Sequence, residues 1–284
     1  VDKLDLDPHQ LRSVAEQMAT EAAQFVRRRR AEVFSGAPQR EAAGSAVRAK
    51  SSPTDPVTIV DTETERLLRD RLAELRPGER ILGEEGGGSA ADPDGLPTWV
   101  LDPIDGTVNF VYGLPAYVVS VAVQVDGQSV AGAIANVVDG ALYSAALGHG
   151  AHVRRDGTST PLRCGDVGDL SMSLVGTGFS YEQRLRQRQA AVIAALLPQI
   201  RDIRRIGSAA LDLCMVAAGQ FDAYFEDNLH VWDWAAGALI AAEAGARVRL
   251  PPASGAVGGA GMVVAAAPGI DDAFTDALSR SGAF

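Results

Sequence analysis

Two carboxylates stand three residues apart, Asp102 and Asp105, in the string Trp-Val-Leu-Asp-Pro-Ile-Asp-Gly-Thr-Val-Asn-Phe over residues 99–110. Hard divalent cations need oxygen ligands that converge from a rigid support and leave positions for water and phosphate. Further acids recur along the chain: Asp61, Glu84 in Gly-Glu-Glu-Gly, Glu226 in Tyr-Phe-Glu-Asp, and Asp233 in Trp-Asp-Trp-Ala-Ala-Gly. Lys50 adds a cation. Taken singly, each has an ordinary reading as a turn acid, a helix cap or a solvated loop charge. Taken together, the acids supply oxygen donors of the kind a hard divalent cation takes.

The elements that must position them follow from periodicity and punctuation. Trp99, Val100 and Leu101 read as the end of a buried strand that stops at Asp102, because Pro103 cannot donate to a sheet ladder. Gly106 permits a tight turn, and Thr107 is placed to cap a following helix. Both carboxylates thus fall at the carboxyl end of a strand. Upstream, Leu11, Val14, Ala15, Met18, Ala22 and Phe25 predict an amphipathic helix over 8–34, ending near Ser35-Gly36. Residues 36–56 lack any period and read as a mobile loop carrying Lys50 near its end. Asp61 opens a second helix with Leu67, Leu68, Leu72 and Leu75 inward, stopping at Arg76-Pro77-Gly78. Ile81-Leu82 is a short strand leading to Glu84, and 86–97 is a surface loop.

After the central string the period changes to two. Apolar runs separated by Asp126-Gly127 and Asp139-Gly140 predict an antiparallel meander, ended by the third turn at Asp156-Gly157. Beyond it, helices over 182–197, 209–218 (capped by Ser208), 233–244 and 270–281 alternate with short strands at 201–206, 223–225, 247–250 and 262–266. That alternation implies a mixed or parallel sheet with helices on its faces. The chain therefore divides into a helix-and-meander half, 1–157, and an alternating α/β half, 158–284. The Gly/Pro-rich segment 251–261 carries no signal.

Composition excludes several classes. The 284 residues suffice for one large core or two joined ones. A net charge of −10 disfavours nucleic acid as a primary ligand. The run Arg27–Arg30 points around more than half of a helix and reads as a solvated face. Two cysteines, with Cys214 in an apolar run, give no disulfide framework and fit a reducing cytoplasm. No apolar run reaches membrane-span length, and the first residues hold no signal core. The four histidines show no metal-ligand spacing.

The order Lys50, Asp61, Gly83-Glu84-Glu85, Asp102-Pro103-Ile104-Asp105-Gly106-Thr107, Gly207-Ser208-Ala209, Glu226, Trp232-Asp233 resembles the inositol monophosphatase family from end to end. The resemblance implies a five-layered αβαβα sandwich, a homodimer, and magnesium-dependent, lithium-sensitive hydrolysis of a small phosphorylated polyol. It implies that Glu84, Asp102 and the backbone carbonyl of Ile104 hold one magnesium. Asp102, Asp105 and Asp233 would hold a second, and Asp61 and Glu84 would support a weaker third through waters. Lys50 would lie on a loop that closes over the metals. Glu84 and the Thr107 hydroxyl, paired with Asp61, would orient the attacking water, and the Gly106 and Thr107 amides would hold phosphate oxygens. Asp105, Ser208, Ala209 and Glu226 would face the substrate hydroxyls. The reaction implied is in-line attack by a metal-activated water on inositol monophosphate, without a covalent phosphoenzyme. Related alternatives are another sugar phosphate, such as fructose bisphosphate, histidinol phosphate or a nucleotide 3′-phosphate. A regulatory protein that keeps the fold and works through contacts is an alternative of a different class.

Overall fold

The computed structural model describes residues 6–34, 47–50, 56–88, 94–251 and 261–284. The expected helix stop at Ser35-Gly36, much of the 36–56 loop, part of the 86–97 loop and most of 251–261 lie outside them. Seven helices are α1 (Pro8–Val33), α2 (Ile59–Leu75), α3 (Thr107–Tyr112), α4 (Gln183–Leu196), α5 (Ala209–Ala217), α6 (Val231–Glu243) and α7 (Asp271–Arg280) among the described residues. An eight-stranded sheet contains β3 (Arg80–Gly83), β4 (Gly87–Gly88), β5 (Pro97–Asp105), β6 (Val118–Val125), β7 (Gln128–Asn136), β8 (Leu142–Ala146), β9 (Ala151–Arg155) and β10 (Thr158–Pro161), in the order 10-9-8-7-6-5-3-4. A five-stranded sheet contains β11 (Leu174–Thr177), β12 (Asp202–Arg204), β13 (Ala223–Leu229), β14 (Arg247–Arg249) and β15 (Gly261–Ala266), in the order 12-11-13-15-14. Strands β1 (Val47–Ala49) and β2 (Pro56–Thr58) pair as a small ribbon.

Alternation along β5 and its neighbours sends side chains to two cores. Trp99 and Leu101, with Val119, Val121 and Val123, pack against Leu11, Ala15, Met18 and Leu68 of α1 and α2. Val100, Ala122 and Ile134 face the other way, onto Ala235, Ala236 and Leu239 of α6 and Cys214 of α5. The other side of α5 and α6 meets Tyr224, Val263 and Ala265 of the second sheet. Its outer face, with Val175, Phe225 and Val264, is covered by Val192 and Leu196 of α4 and Phe274 and Leu278 of α7. The layers are therefore αβαβα, as the resemblance implies. A helix enclosed between two sheets cannot be amphipathic, and α5 and α6 are apolar nearly all round. Small residues let this layer close up: a Cβ at Gly132 would lie 3.0 Å from Ala236 Cα, and one at Gly237 2.8 Å from Leu213 Cβ.

The strand that carries the central string is not interrupted at Asp102. Asp102 pairs with Ser120 and Asp105 with Val118, so three steps on β5 face two on β6. The extra residue is a bulge, which accommodates Pro103 where the ladder is broken. Strand β13 has the same irregularity between Glu226 and Leu229, with Asn228 at a φ of 72°. Both acid-bearing strands therefore break beside the site.

Some local expectations change. Gly106, at a φ of 95°, occupies the cap position of α3, and Thr107 is the first helical residue instead. Thr58 caps α2 and Asp61 closes a capping box from the third helical position. Asp233 has the same position in α6, behind His230. The Asp156-Gly157 turn does not end the meander but leads into β10. Strand β11, absent from the periodicity reading, lies between β12 and β13. The arginine run is not simply solvated. Arg27 donates to the Val137 carbonyl at 2.6 and 2.8 Å, and Arg29 pairs with Glu63 at 2.7 Å. Arg30 donates to the Phe110 carbonyl at 3.1 Å and lies over the rings of Phe34 and Phe110.

Candidate metal centre and active site

Each acid of the central string is fixed by its own local geometry. At the β5 bulge the Ile104 N–H turns back to donate to Asp102 Oδ1 at 3.0 Å. Asp105 Oδ2 accepts from the Ser208 hydroxyl at 2.6 Å and from the Ala210 N–H at 2.7 Å, so the first turn of α5 grips it. The N–H of His230 donates to Asp233 Oδ2 at 2.6 Å, a product of the α6 capping box. One oxygen of each carboxylate is thereby anchored to the main chain or to a neighbouring hydroxyl, which sets where the other oxygen points. Ligand atoms of Asp102, Asp105 and Asp233 all lie within 4.8 Å of one another.

Such proximity is electrostatically costly. Burial, with Glu84, Asp105 and Asp233 adding like charge, pushes the Asp102 carboxyl well above its usual range. Burial also lifts Asp105 to about 6, although its bonds from Ser208 and Ala210 pull the other way. Asp233 is raised well above the usual value by burial and then by Asp105 and Glu84. A buried trio of carboxylates is stable as anions only with a cation among them. Its all-oxygen donors suit a hard divalent ion such as magnesium, so the residues fit the group that the resemblance implies.

Around the trio, Thr107 Oγ1 lies 3.1 Å from Asp61 Oδ1 and 3.0 Å from the Ile104 carbonyl. The Thr58 N–H donates to Asp61 Oδ2 at 2.9 Å. Burial raises the Asp61 carboxyl to about 6, against the lowering effect of Thr58. Glu84 donates its N–H to the Leu101 carbonyl at 3.2 Å, which ties the Gly83–Gly86 turn to β5. Its carboxylate receives Lys50 Nζ at 2.7 Å, and the same ammonium pairs with Glu85. Burial opposes charge on Lys50, but the two glutamates outweigh it and hold the ammonium firmly protonated.

These groups open on a cleft of about 450 Å³, a volume suited to a small ligand. Lys50, Glu84, Asp105, Gly106, Ala209, Glu226 and Asp233 line it. Glu226 is anchored by the Tyr224 hydroxyl at 2.7 Å, and burial lifts its carboxyl to about 7. Gly178 makes room for it: a Cβ there would lie 1.8 Å from Glu226 Oε2. Of the predicted site residues, Lys50, Glu84, Asp105, Gly106, Ala209, Glu226 and Asp233 line the cleft, whereas Asp61, Asp102, Ile104, Thr107 and Ser208 are buried and do not. Ser208 is buried and its hydroxyl is spent on Asp105, while Ala209 beside it faces the cleft.

Several residues of the site had no signal in the sequence reading. Asn109 pins the turn before α5, donating to the Ala116 carbonyl at 2.7 Å and the Ile206 carbonyl at 2.9 Å. Arg205 lines the cleft beside Gly207. Asp212 is wholly buried on α5, and neither carboxylate oxygen has a hydrogen-bond partner among the described residues. A polar residue in the apolar run Ala209–Ala218 was the available clue.

Comparison with known proteins agrees with the geometry. The family model described as the inositol monophosphatase family matches residues 7–282. The chain is 69% identical over 279 residues to the inositol-1-monophosphatase of Mycobacterium leprae, covering 97% of this chain and 96% of that one. It is 63% identical over 280 residues to the inositol-1-monophosphatase SuhB of Mycobacterium tuberculosis, with 97% and 96% covered. The solved structure of Mycobacterium tuberculosis SuhB superposes with a TM-score of 0.82 at 56% identity, covering 98% of each chain. A buried carboxylate trio at the end of a bulged strand, a five-layered sandwich and a match along nearly the whole chain converge: this protein belongs to the inositol monophosphatase family, whose members are divalent-metal-dependent phosphoric monoester hydrolases.

Proposed function

We propose that the protein hydrolyses inositol monophosphate to inositol and phosphate with magnesium as its metal. The observation that carries this reading is the Asp102, Asp105 and Asp233 trio, of which Asp105 and Asp233 line the same cleft as Glu226. Asp102, Asp105 and Asp233, with Glu84 and the Ile104 carbonyl, would hold two ions, and Asp61 with Glu84 would support a third. When bound, the metal supplies positive charge against the phosphate dianion and acidifies a water.

The chain's own residues do the rest. The Thr107 hydroxyl is held between two acceptors, Asp61 Oδ1 and the Ile104 carbonyl. It has one proton to give, and an attacking water can use the remaining lone pair as its acceptor. Glu84 takes part in orienting that water and in receiving its proton. The Gly106 and Thr107 amides, at the turn into α3, would hold phosphate oxygens. Glu226 and Ala209 would meet the polyol, and a buried carboxylate that accepts a ring hydroxyl discriminates against esters that lack it. Lys50, on its ribbon, closes the metal side. The homodimer and inhibition by lithium at a magnesium position are supported by family membership alone, and the cytoplasmic setting by the absence of a disulfide framework.

The test is a substrate panel: phosphate release from inositol 1-phosphate, fructose bisphosphate and histidinol phosphate, each with magnesium and with chelator. Preference for the inositol ester, abolished by chelator and lowered by lithium, is the expected outcome. Release from fructose bisphosphate alone would move the substrate assignment to a neighbouring branch.

A further inference from the structure

The loop that presents Glu84 is shaped by an acid outside the cleft. Glu65, on α2, is 2% exposed and none of the chemistry above uses it. Its carboxylate reaches the underside of the Gly83–Gly86 turn. Oε2 accepts the Glu85 N–H at 2.7 Å, and Oε1 accepts the Gly86 N–H at 2.8 Å. Arg69, one turn along α2, donates to Oε1 at 2.8 Å and carries on to the Gly87 carbonyl at 2.6 Å. The fit is close on both sides. A Cβ at Gly83 would lie 2.4 Å from Glu65 Oε1, and one at Gly86 2.6 Å from the same atom. The two glycines of Gly-Glu-Glu-Gly therefore leave space for a carboxylate as well as allowing a turn.

We propose that Glu65 is a positioning residue for the metal centre, fixing the Glu84-Glu85 turn from below by accepting its two consecutive N–H groups. Two charge-assisted bonds to adjacent amides constrain both the location and the tilt of the peptide unit that follows Glu84. Glu84 in turn is tied to β5 through the Leu101 carbonyl, so its carboxylate is held relative to Asp102 from two sides. Supports of this kind behind a metal ligand are worth about 10–100-fold in metal affinity. The proposal rests on the reading of Glu84 as a magnesium ligand.

Magnesium binding to the full chain, measured by titration calorimetry without substrate, tests it. Glu65→Gln keeps the shape but accepts only one of the two N–H groups and sets an amide donor against the other. The expected result is a magnesium Kd raised about tenfold or more. Arg69→Met removes the ion pair but leaves both N–H bonds, and is expected to lower the melting temperature while changing the Kd less than about threefold. Gly83→Ala approaches from the opposite side, since its methyl must displace the carboxylate. It should weaken magnesium in the parent chain and have no further effect in a Glu65→Ala background, where the space is vacant. A parent-like Kd in both Glu65→Gln and Gly83→Ala, or a loss in Arg69→Met as large as that in Glu65→Gln, overturns the positioning role. If the unaltered protein binds no magnesium, the reading of the site fails with it, and that outcome is distinct from unaltered binding in the variants.

Discussion

Asp102 is 1% exposed and lies among the acid trio within the field of Glu84, so its charge depends on a cation. Asp102→Asn keeps the shape and the Ile104 bond but removes the charge. It is expected to lower magnesium-dependent turnover by at least ~100-fold while leaving the melting temperature of the metal-free protein unchanged or raised, because a buried like-charge contact is relieved. Thr107→Val removes the hydroxyl shared by Asp61 and Ile104. A loss in kcat on the order of 10²-fold, with KM little changed, would mark that hydroxyl as part of the reacting assembly. Equal kcat in the valine variant would exclude it. Glu226→Gln is expected to raise KM for the inositol ester more than it lowers kcat if, as proposed, Glu226 meets the polyol and not the phosphorus.

At the scale of elements, the positions of the site residues depend on how strands and helices begin and break. Alternation, turn residues and cap chemistry marked most of the elements, because hairpins with Asp-Gly turns and helices ended by glycine have local causes. The two bulges were not legible. Pro103 suggested that β5 ends at Asp102, whereas pairing with β6 on the far side of the bulge carries it to Asp105. Strand β11 escaped notice because Leu174–Thr177 is only four residues long, has no alternation and becomes a strand through neighbours distant in sequence. The reading of the arginine run as a solvated face holds for Arg28 but misses the contacts of Arg27, Arg29 and Arg30, for a related reason. Nothing local indicates that Arg30 will meet Phe110 and Phe34, which α3 and the end of α1 bring together. That contact ties α1 to the helix that follows the Asp102–Asp105 string. Arg30→Met is expected to cost about 1–2 kcal/mol in urea unfolding, from one carbonyl bond and a partly buried cation–ring contact, with no change in magnesium Kd.

For the whole molecule, folding concentrates buried acids and so links stability to pH and metal. The carboxyls of Asp61 and Asp105 titrate near about 6 in the folded chain, against about 3.9 when unfolded. For groups raised in this way, the unfolded state loses its protons first. Their contribution to stability is present below the unfolded value and is lost as pH rises through about 6. A divalent ion binds the ionised form and reverses the loss. The rise in melting temperature on adding magnesium is therefore expected to be larger at about pH 8 than at about pH 5.5, and metal-free protein should show the smaller gap between those pH values once Asp102→Asn is introduced. A magnesium effect independent of pH would contradict the linkage. The identity of the acids and their order along the chain were readable before any fold was known, since their types and motifs are local. Their convergence was implied only by the family resemblance and not by any local pattern, because Asp233 reaches Asp102 only through the middle helical layer, which packs the second half against the first.

The most direct measurement is phosphate release from inositol 1-phosphate across a magnesium titration, by the unaltered protein and by Asp102→Asn side by side. Saturable, magnesium-dependent release by the first and a loss of at least ~100-fold in the second, with both folded, is the expected result. Release that persists in Asp102→Asn or in excess chelator would contradict the assignment of the buried carboxylate trio as the metal centre that performs the hydrolysis.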